Sequence, residues 1–358
     1  MNTGITLWER YFNSAKGPPK ILLPSLKVLS NFQRLGIWIR SQQHTYTPKI
    51  YTVSFGGITV GGVGKTPAVI ERAEREINVN SKRVCVISRG YGSKKSHAIV
   101  EGIYKEGKVL TRFYSSEKEL NPFEEKTLSW GEACKVLGDE LTLILYRLPE
   151  VTVIKNPNRV HAVNWAECRN FDVIILDDAY QYLMLARNEN ILLLSALNPW
   201  GNRLIFPAGI LREPLNAMSR ATEIWVSHCD QVPKEKLETL KNFFEQNYPD
   251  KKTRWTYHKS LFWRKHNTNQ TLPLDSFKNK EADIYCAIGN PDSFLNTLKN
   301  LQVCVKNVYV YRDHTPIPKA MMKEERIVLT TEKNMLTLEE ANVEVYALCI
   351  GLSDYSWD

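Results

Sequence analysis

No Cys-x-x-C pair occurs anywhere in the 358 residues, and the seven cysteines, Cys85, Cys134, Cys168, Cys229, Cys286, Cys304 and Cys349, are odd in number and scattered. That excludes a disulfide framework and a thiolate zinc site, and it is the usage expected of a reducing compartment. Also missing is any run of about 20 predominantly apolar residues, so no helix is expected to cross a bilayer. The N-terminus lacks a basic start followed by an uninterrupted apolar core; no cleavable signal peptide is expected, and the chain should stay in the cytosol. There is no Lys/Arg stripe interleaved with aromatics and no zinc-finger or RNA-binding fingerprint, which argues against a nucleic-acid partner despite a net charge of +8. An Asn-Lys-x-Asp guanine motif is absent too, since Asn279-Lys280-Glu281-Ala282 lacks the acid.

What remains is an ordinary globular composition, 43% hydrophobic and 24% charged, long enough for two domains and a large core. The basic excess calls for an anionic partner such as a nucleotide, a phospholipid surface or a phosphorylated substrate. The most informative stretch is Phe55-Gly56-Gly57-Ile58-Thr59-Val60-Gly61-Gly62-Val63-Gly64-Lys65-Thr66-Pro67. β-rich Lys49 to Ser54 precedes it and the helix-forming run Ala68 to Arg75 follows, so it reads as a strand, a phosphate-cradling loop and a helix. Glycines let backbone N–H groups turn inward around an anion, Lys65 reaches the outer phosphates of a nucleoside triphosphate, and Thr66 can hold Mg2+. The nucleotide-binding set is therefore Thr59, Val60, Gly61, Gly62, Val63, Gly64, Lys65 and Thr66. The strict pattern has a glycine at position 59; here Gly61 and Gly62 are expected to supply the turn.

Apolar β-like runs recur at 84–88, 151–154, 173–176, 191–194 and 223–226, mostly separated by helix-compatible segments. That pattern predicts an α/β fold, a P-loop NTPase-like and mainly parallel sheet with helices on both faces and ligands at the carboxyl ends of its strands. Ala98 to Arg112 reads as a hairpin and Ser115 to Lys126 as an exposed insertion. From Gln231 the character changes, with a charged helix from Lys234 to Gln246 and further strands near 284–288, 308–311 and 327–330, predicting a second, smaller α/β domain. The expected division is 1–45, an N-terminal helical segment; 46–228, the core; and 229–358, the smaller domain. Between Pro18 and Arg40, Leu22, Leu26, Leu29, Phe32 and Leu35 recur at helical spacing, with Lys20, Lys27, Arg34 and Arg40 among them and Trp38 near the end. Such a helix can lie on an anionic membrane or pack on the protein's own core.

Asp177 and Asp178 end an apolar strand, where a metal-binding carboxylate belongs in phosphate-loop enzymes; alternation along the strand assigns Asp177 to the metal and Asp178 to a helper role. Gly138-Asp139-Glu140 opens another helical run, reading either as an acid pair for base and metal work or as an ordinary helix cap. His314 lies in a polar turn and matters only if it meets a carboxylate base. Arg89, Arg159 and Arg212 are candidates for phosphate oxygens.

Taken in order, the loop at 61–67, Ser88-Arg89-Gly90-Tyr91-Gly92, Gly138-Asp139-Glu140, Leu176-Asp177-Asp178-Ala179-Tyr180-Gln181, Pro207 to Pro214, Asp313-His314 and Thr330-Thr331-Glu332-Lys333 resemble the tetraacyldisaccharide 4′-kinase family of lipid A biosynthesis. The resemblance implies a peripheral kinase on the cytoplasmic face of the bacterial inner membrane. It would move the γ-phosphate of ATP to the 4′-hydroxyl of a tetraacylated glucosamine disaccharide 1-phosphate. It further implies Asp139 as general base paired with His314, Lys65 and Thr66 on triphosphate and Mg2+, and Glu140 with Asp177 or Asp178 on the metal. Tyr91, Arg159, Gln181 and Arg212 would shape the site, and the N-terminal helix would be the membrane anchor. Ala179, Tyr182, Ile210 and Asn334 stand where the family commonly has Gly, His, Pro and Asp. Two rivals compete with this reading. A membrane-associated ATPase switch would need a lysine where Val60 stands, and a kinase of a soluble small molecule would not need the basic apolar helix.

Overall fold

The structure, a computed structural model, describes residues 22–42, 44–94, 96–268, 270–315, 317, 326–338 and 343–357. The predicted start of the N-terminal segment, Pro18 to Ile21 with Lys20, lies outside the described residues, as do the side chains of Leu35, Trp38 and Arg40. Helix α1, Leu23–Ser41, leads to strand β1, Tyr51–Gly56, whose Val53 and Phe55 are fully buried, and then through the glycine loop to α2, Lys65–Asn78. Helix α2 turns Ala68, Val69, Arg72, Ala73 and Glu76 inward, a spacing that places one stripe against the sheet.

Strands β2 (Val84–Ser88), β6 (Thr152–Lys155), β7 (Val173–Leu176), β8 (Glu189–Ser195) and β9 (Glu223–Ser227) join β1 in parallel, in the order β9-β8-β1-β7-β2-β6. Alternate residues of each strand serve opposite faces: Val84 and Val86 belong to one core, Cys85 and Ile87 to the other. One core is completed by α2, α3 (Trp130–Leu137) and α4 (Asp139–Arg147); the other by α5 (Arg159–Glu167). Both faces are covered, which is why these strands read as unbroken apolar runs. The predicted mainly parallel α/β sheet is therefore what the chain forms.

The predicted hairpin is β3, Ile99–Lys105, with β4, Lys108–Tyr114, added antiparallel to β6. The insertion expected over Ser115 to Lys126 runs at its end into a further, largely exposed strand, β5, Glu124–Leu128, which pairs with β4. Its Glu-Glu-Lys-Thr-Leu sequence is that of a charged edge strand, which discourages further pairing and carries no apolar signal.

Past β9, α6 (Lys234–Asn247) packs Leu237, Leu240 and Phe244 beneath the sheet. Strand β10, Lys252–Lys265, then pairs in parallel with β9 over Lys252–Trp255 and antiparallel with β15, Val345–Asp354, over Thr256–Lys265. Beyond β15 lie β14 (Val328–Thr331), β12 (Glu281–Cys286) and β13 (Cys304–Val310), all parallel, with the short β11 (Thr271–Leu272) against β10. Helices α7 (Pro291–Asn300) and α8 (Glu332–Thr337) follow β12 and β14. One strand thus joins two parallel blocks into a continuous sheet. The carboxyl ends of β1, β2 and β7 in one block and of β12 and β14 in the other border a single cavity.

Candidate active site

The glycine loop is held by main-chain bonds to the segment that carries Arg212. Val60 N–H donates to the Ile210 carbonyl (2.8 Å) and Arg212 N–H to the Ile58 carbonyl (2.6 Å), with Thr59 bridged to Leu211 between them. Thr59 is buried and keeps a negative φ, so this position has no need of glycine. The left-handed residues are Gly61 and Gly64, at φ 108° and 81°. Gly64 caps α2 with no side-chain hydrogen bond, leaving first-turn N–H groups for an anion at the positive end of the helix.

Facing the loop, the two acids after β7 diverge. Asp178 sits at φ 48°, accepts both oxygens' bonds from Arg212 Nη1 (2.9 and 3.0 Å), and lies 3.6 Å from Lys65 Nζ. Burial alone would raise its pKa, but Lys65 and Arg212 outweigh it and hold the carboxyl at about 2. Asp177 is buried and its Oδ1 has no hydrogen-bond partner; burial first, then the charges of Asp178 and Glu140, push it up to about 7. An orphaned carboxylate oxygen under a phosphate loop is a donor for a cation.

Across the cavity stands a second cluster. Gly138, at φ 97°, is the N-cap of α4, so Asp139 is the first helical residue and not the cap: the helix-cap reading of this acid fails. Its Oδ2 instead accepts from His314 Nδ1 at 3.0 Å. Burial disfavours the His314 imidazolium, yet the bond to Asp139 and nearby Asp313 and Glu140 raise its pKa above the ordinary histidine value against the opposing charge of Lys333. The Tyr91 ring lies 4.9 Å from the imidazole, and the Arg89 guanidinium 5.2 Å from the Tyr91 ring.

Lys333, to which no role was assigned from sequence, is central here. Its Nζ donates to Asp313 (2.9 Å) and Glu140 (3.3 Å) and lies 3.9 Å from Asp139. Burial opposes its charge, but Glu140, Asp313 and Asp139 raise its pKa well beyond the usual lysine range. Arg147 of α4 bonds Glu332 at 2.6 Å, so the helix carrying Asp139 is tied directly to the helix carrying Lys333. Asn334 exchanges hydrogen bonds with both backbone groups of Ala287 and accepts from Thr331 Oγ1, pinning α8 to the end of β12. The signal for Lys333 was its place at the carboxyl end of a parallel strand, where α/β proteins collect ligand contacts.

The cavity between the clusters measures about 750 Å3, ample for a nucleotide. Val60, Gly61, Gly62, Val63, Gly64, Lys65 and Thr66 line it, with Arg89, Tyr91, Glu140, Asp177, Asp178, Arg212 and His314. Four predicted site residues do not line it. Thr59 is in its bridge, Asp139 is on His314, and Gln181 donates to the Gly57 carbonyl (2.9 Å). Arg159, expected to shape the site, is buried with its guanidinium 5.2 Å from the Tyr182 ring and one N–H on the Pro157 carbonyl. Its place at the first turn of α5 folds the side chain back on its own loop. Tyr182 donates to Asn158, the N-cap of α5, so it serves that loop as well.

The profile of the Tetraacyldisaccharide-1-P 4'-kinase family matches residues 22–353. Among curated relatives, the tetraacyldisaccharide 4'-kinase of Francisella philomiragia is 31% identical over 309 residues, covering 84% of this chain and 85% of the relative. That of Halothermothrix orenii is 29% identical, covering 93% of this chain and 90% of its own length. The crystal structure of LpxK from Aquifex aeolicus, determined in complex with ATP, superimposes with a TM-score of 0.68 at 26% identity over 94% of each chain. With the two facing clusters and the phosphate loop in the order described, the chain belongs to the tetraacyldisaccharide 4′-kinase family.

Proposed function

We propose that this kinase transfers the γ-phosphate of ATP to the 4′-hydroxyl of a tetraacylated disaccharide 1-phosphate, a step of lipid A biosynthesis. The observation that carries the reading is the Asp139–His314 hydrogen bond set across one cavity from Lys65 and the α2 N-terminus. The loop N–H groups and Lys65 bind the β- and γ-phosphates of ATP, and Arg212 adds a planar guanidinium beside them. Asp139 accepts the proton of the acceptor hydroxyl as its oxygen attacks phosphorus and ADP departs; His314 fixes the carboxylate's orientation and steadies its charge. Lys333 holds Glu140 and Asp313 around the pair. Mg2+ fits the donor set: Asp177 has a buried oxygen with no protein partner, and Thr66 and Glu140 line the same cavity. Bound there, it would supply positive charge to the phosphates.

The test is direct. Purified protein with Mg·ATP and a detergent-dispersed disaccharide 1-phosphate should yield the 4′-phosphorylated product. Transfer to a soluble sugar or nucleotide, with none to the lipid, would sink the assignment.

Peripheral docking on the cytoplasmic face of the inner membrane belongs to the same proposal. Leu22, Val28, Leu29, Phe32 and Ile39 of the N-terminal helical region are exposed, Phe32 by 68%. On another side of α1, Ser30 Oγ donates to the Ile205 carbonyl (2.7 Å) and Gln33 to the Arg212 carbonyl (3.1 Å). The helix is thus fastened to the Arg212 loop while a row of large apolar groups faces out with exposed Lys27 and Arg34. Among the described residues no helix is long and apolar enough to cross a membrane, and the position proposed for α1 is interfacial. Substituting Leu29→Glu and Phe32→Glu together should move most of the protein from the pellet to the supernatant when it is sedimented with anionic phospholipid vesicles. Undiminished co-sedimentation would remove α1 as the anchor.

A further inference from the structure

Lys155, the last residue of β6, is 3% exposed and makes no ion pair among the described residues. Burial without a carboxylate pushes its ammonium down to about 8. Its Nζ donates to two main-chain carbonyls, Lys94 and Val136, each at 2.6 Å. Val136 lies in the last turn of α3, the negative end of that helix, and Gly138, two residues on, starts α4 at Asp139. Lys94 closes the loop that carries Arg89 and Tyr91, and its own N–H donates to Lys135 at 3.0 Å.

The loop and the helix start touch backbone to backbone. A Cβ added at Gly138 would meet Gly90 Cα and the Tyr91 carbonyl oxygen at 3.1 Å, and one added at Gly90 would meet the Leu137 carbonyl oxygen at 2.6 Å and Lys155 Cδ at 2.7 Å. Lys155 lies over this contact with its stem on Gly90 and its ammonium on both sides of the joint. From there the contacts run outward through the Tyr91 ring to His314 and on to Asp139.

We propose that Lys155 is a positioning residue: a cationic strap that locks the Tyr91 loop to the start of the Asp139 helix and so sets the Tyr91, His314 and Asp139 geometry. It is not one of the residues that line the cavity, and it acts through its two carbonyls. The kinetic part of this inference rests on the kinase reading; the structural part does not.

The test compares wild type, Lys155→Met and Lys155→Arg for steady-state kinetics with Mg·ATP and the lipid acceptor, and for backbone hydrogen exchange. Lys155→Met should lower kcat at least tenfold with KM for ATP within twofold. Exchange should quicken in segments 88–94 and 138–142 but not in the phosphate loop at 60–68. Lys155→Arg, which keeps a buried cationic donor, should recover a large part of kcat. The proposal is overturned if Lys155→Met keeps wild-type kcat and exchange, if its KM for ATP rises in step with the fall in kcat, or if Lys155→Arg is no better than Lys155→Met. A wild type that leaves the lipid unphosphorylated would fail the functional reading, and the exchange data would still decide the strap.

Discussion

Asp139→Asn is expected to lower kcat by about a hundredfold to ten-thousandfold while leaving ATP affinity within a few-fold of wild type. The substitution keeps the size and shape of the side chain but removes its capacity to take a proton. Asp139 does not line the phosphate-binding wall; it pairs with His314 and Lys333, whereas Lys65 and Arg212, which do line it, are on Asp178. Nucleotide binding should therefore survive. The loss belongs in kcat, because the interaction removed is made as the hydroxyl proton leaves. His314→Ala should cost less, since the carboxylate remains and only its orientation and the neighbouring imidazole are lost. Steady-state assays with a parallel binding titration of ATP separate the two. An Asp139→Asn enzyme that turns over normally, or one that loses ATP binding to the same extent as activity, would remove Asp139 as the base.

Much of this site could be read from the chain because its parts are local. A phosphate loop needs glycine, lysine and threonine at fixed offsets between a strand and a helix, and Gly61, Gly64, Lys65 and Thr66 satisfy that within a few residues. The acids after β7 are local in the same way. What escaped was set by distant contacts. Lys333 becomes a hub only because β10 and β15 bring the second parallel block over α4, and β10 itself was missed. Its sequence, Lys-Thr-Arg-Trp-Thr-Tyr-His-Lys-Ser-Leu-Phe-Trp-Arg-Lys, mixes charged and aromatic residues and gives no apolar run, although it is the strand on which the whole sheet pivots. Thr59 looked like a defect in the motif until its bridge to Leu211 gave it an extended backbone and a reason. Arg159 shows the reverse case. A residue type suited to phosphate turned instead onto Tyr182 and its own loop, a choice fixed by packing and invisible in spacing.

The second large effect should separate stability from turnover at one atom. Asp177 ionises in the folded protein only near pH 7, whereas an unfolded aspartate does so near 3.9. Between those values the folded state holds a proton that the unfolded state has released, so the stability contributed by this group falls as pH rises through that window. Above it, the fold carries a buried carboxylate with an unpartnered oxygen, at a cost on the order of a few kcal/mol. Asp177→Asn removes that charge. In metal-free buffer the variant should melt several degrees above wild type at pH 8 and close to it at pH 5, while losing at least a hundredfold in turnover. Added Mg2+ should raise the melting temperature of the wild type and leave the variant nearly unmoved, because a ligand stabilises only the form that binds it. Equal melting at pH 8 would show that Asp177 is not strained by its burial. A variant that is stabilised but fully active would separate Asp177 from the metal altogether and leave Glu140 and Thr66 to carry it.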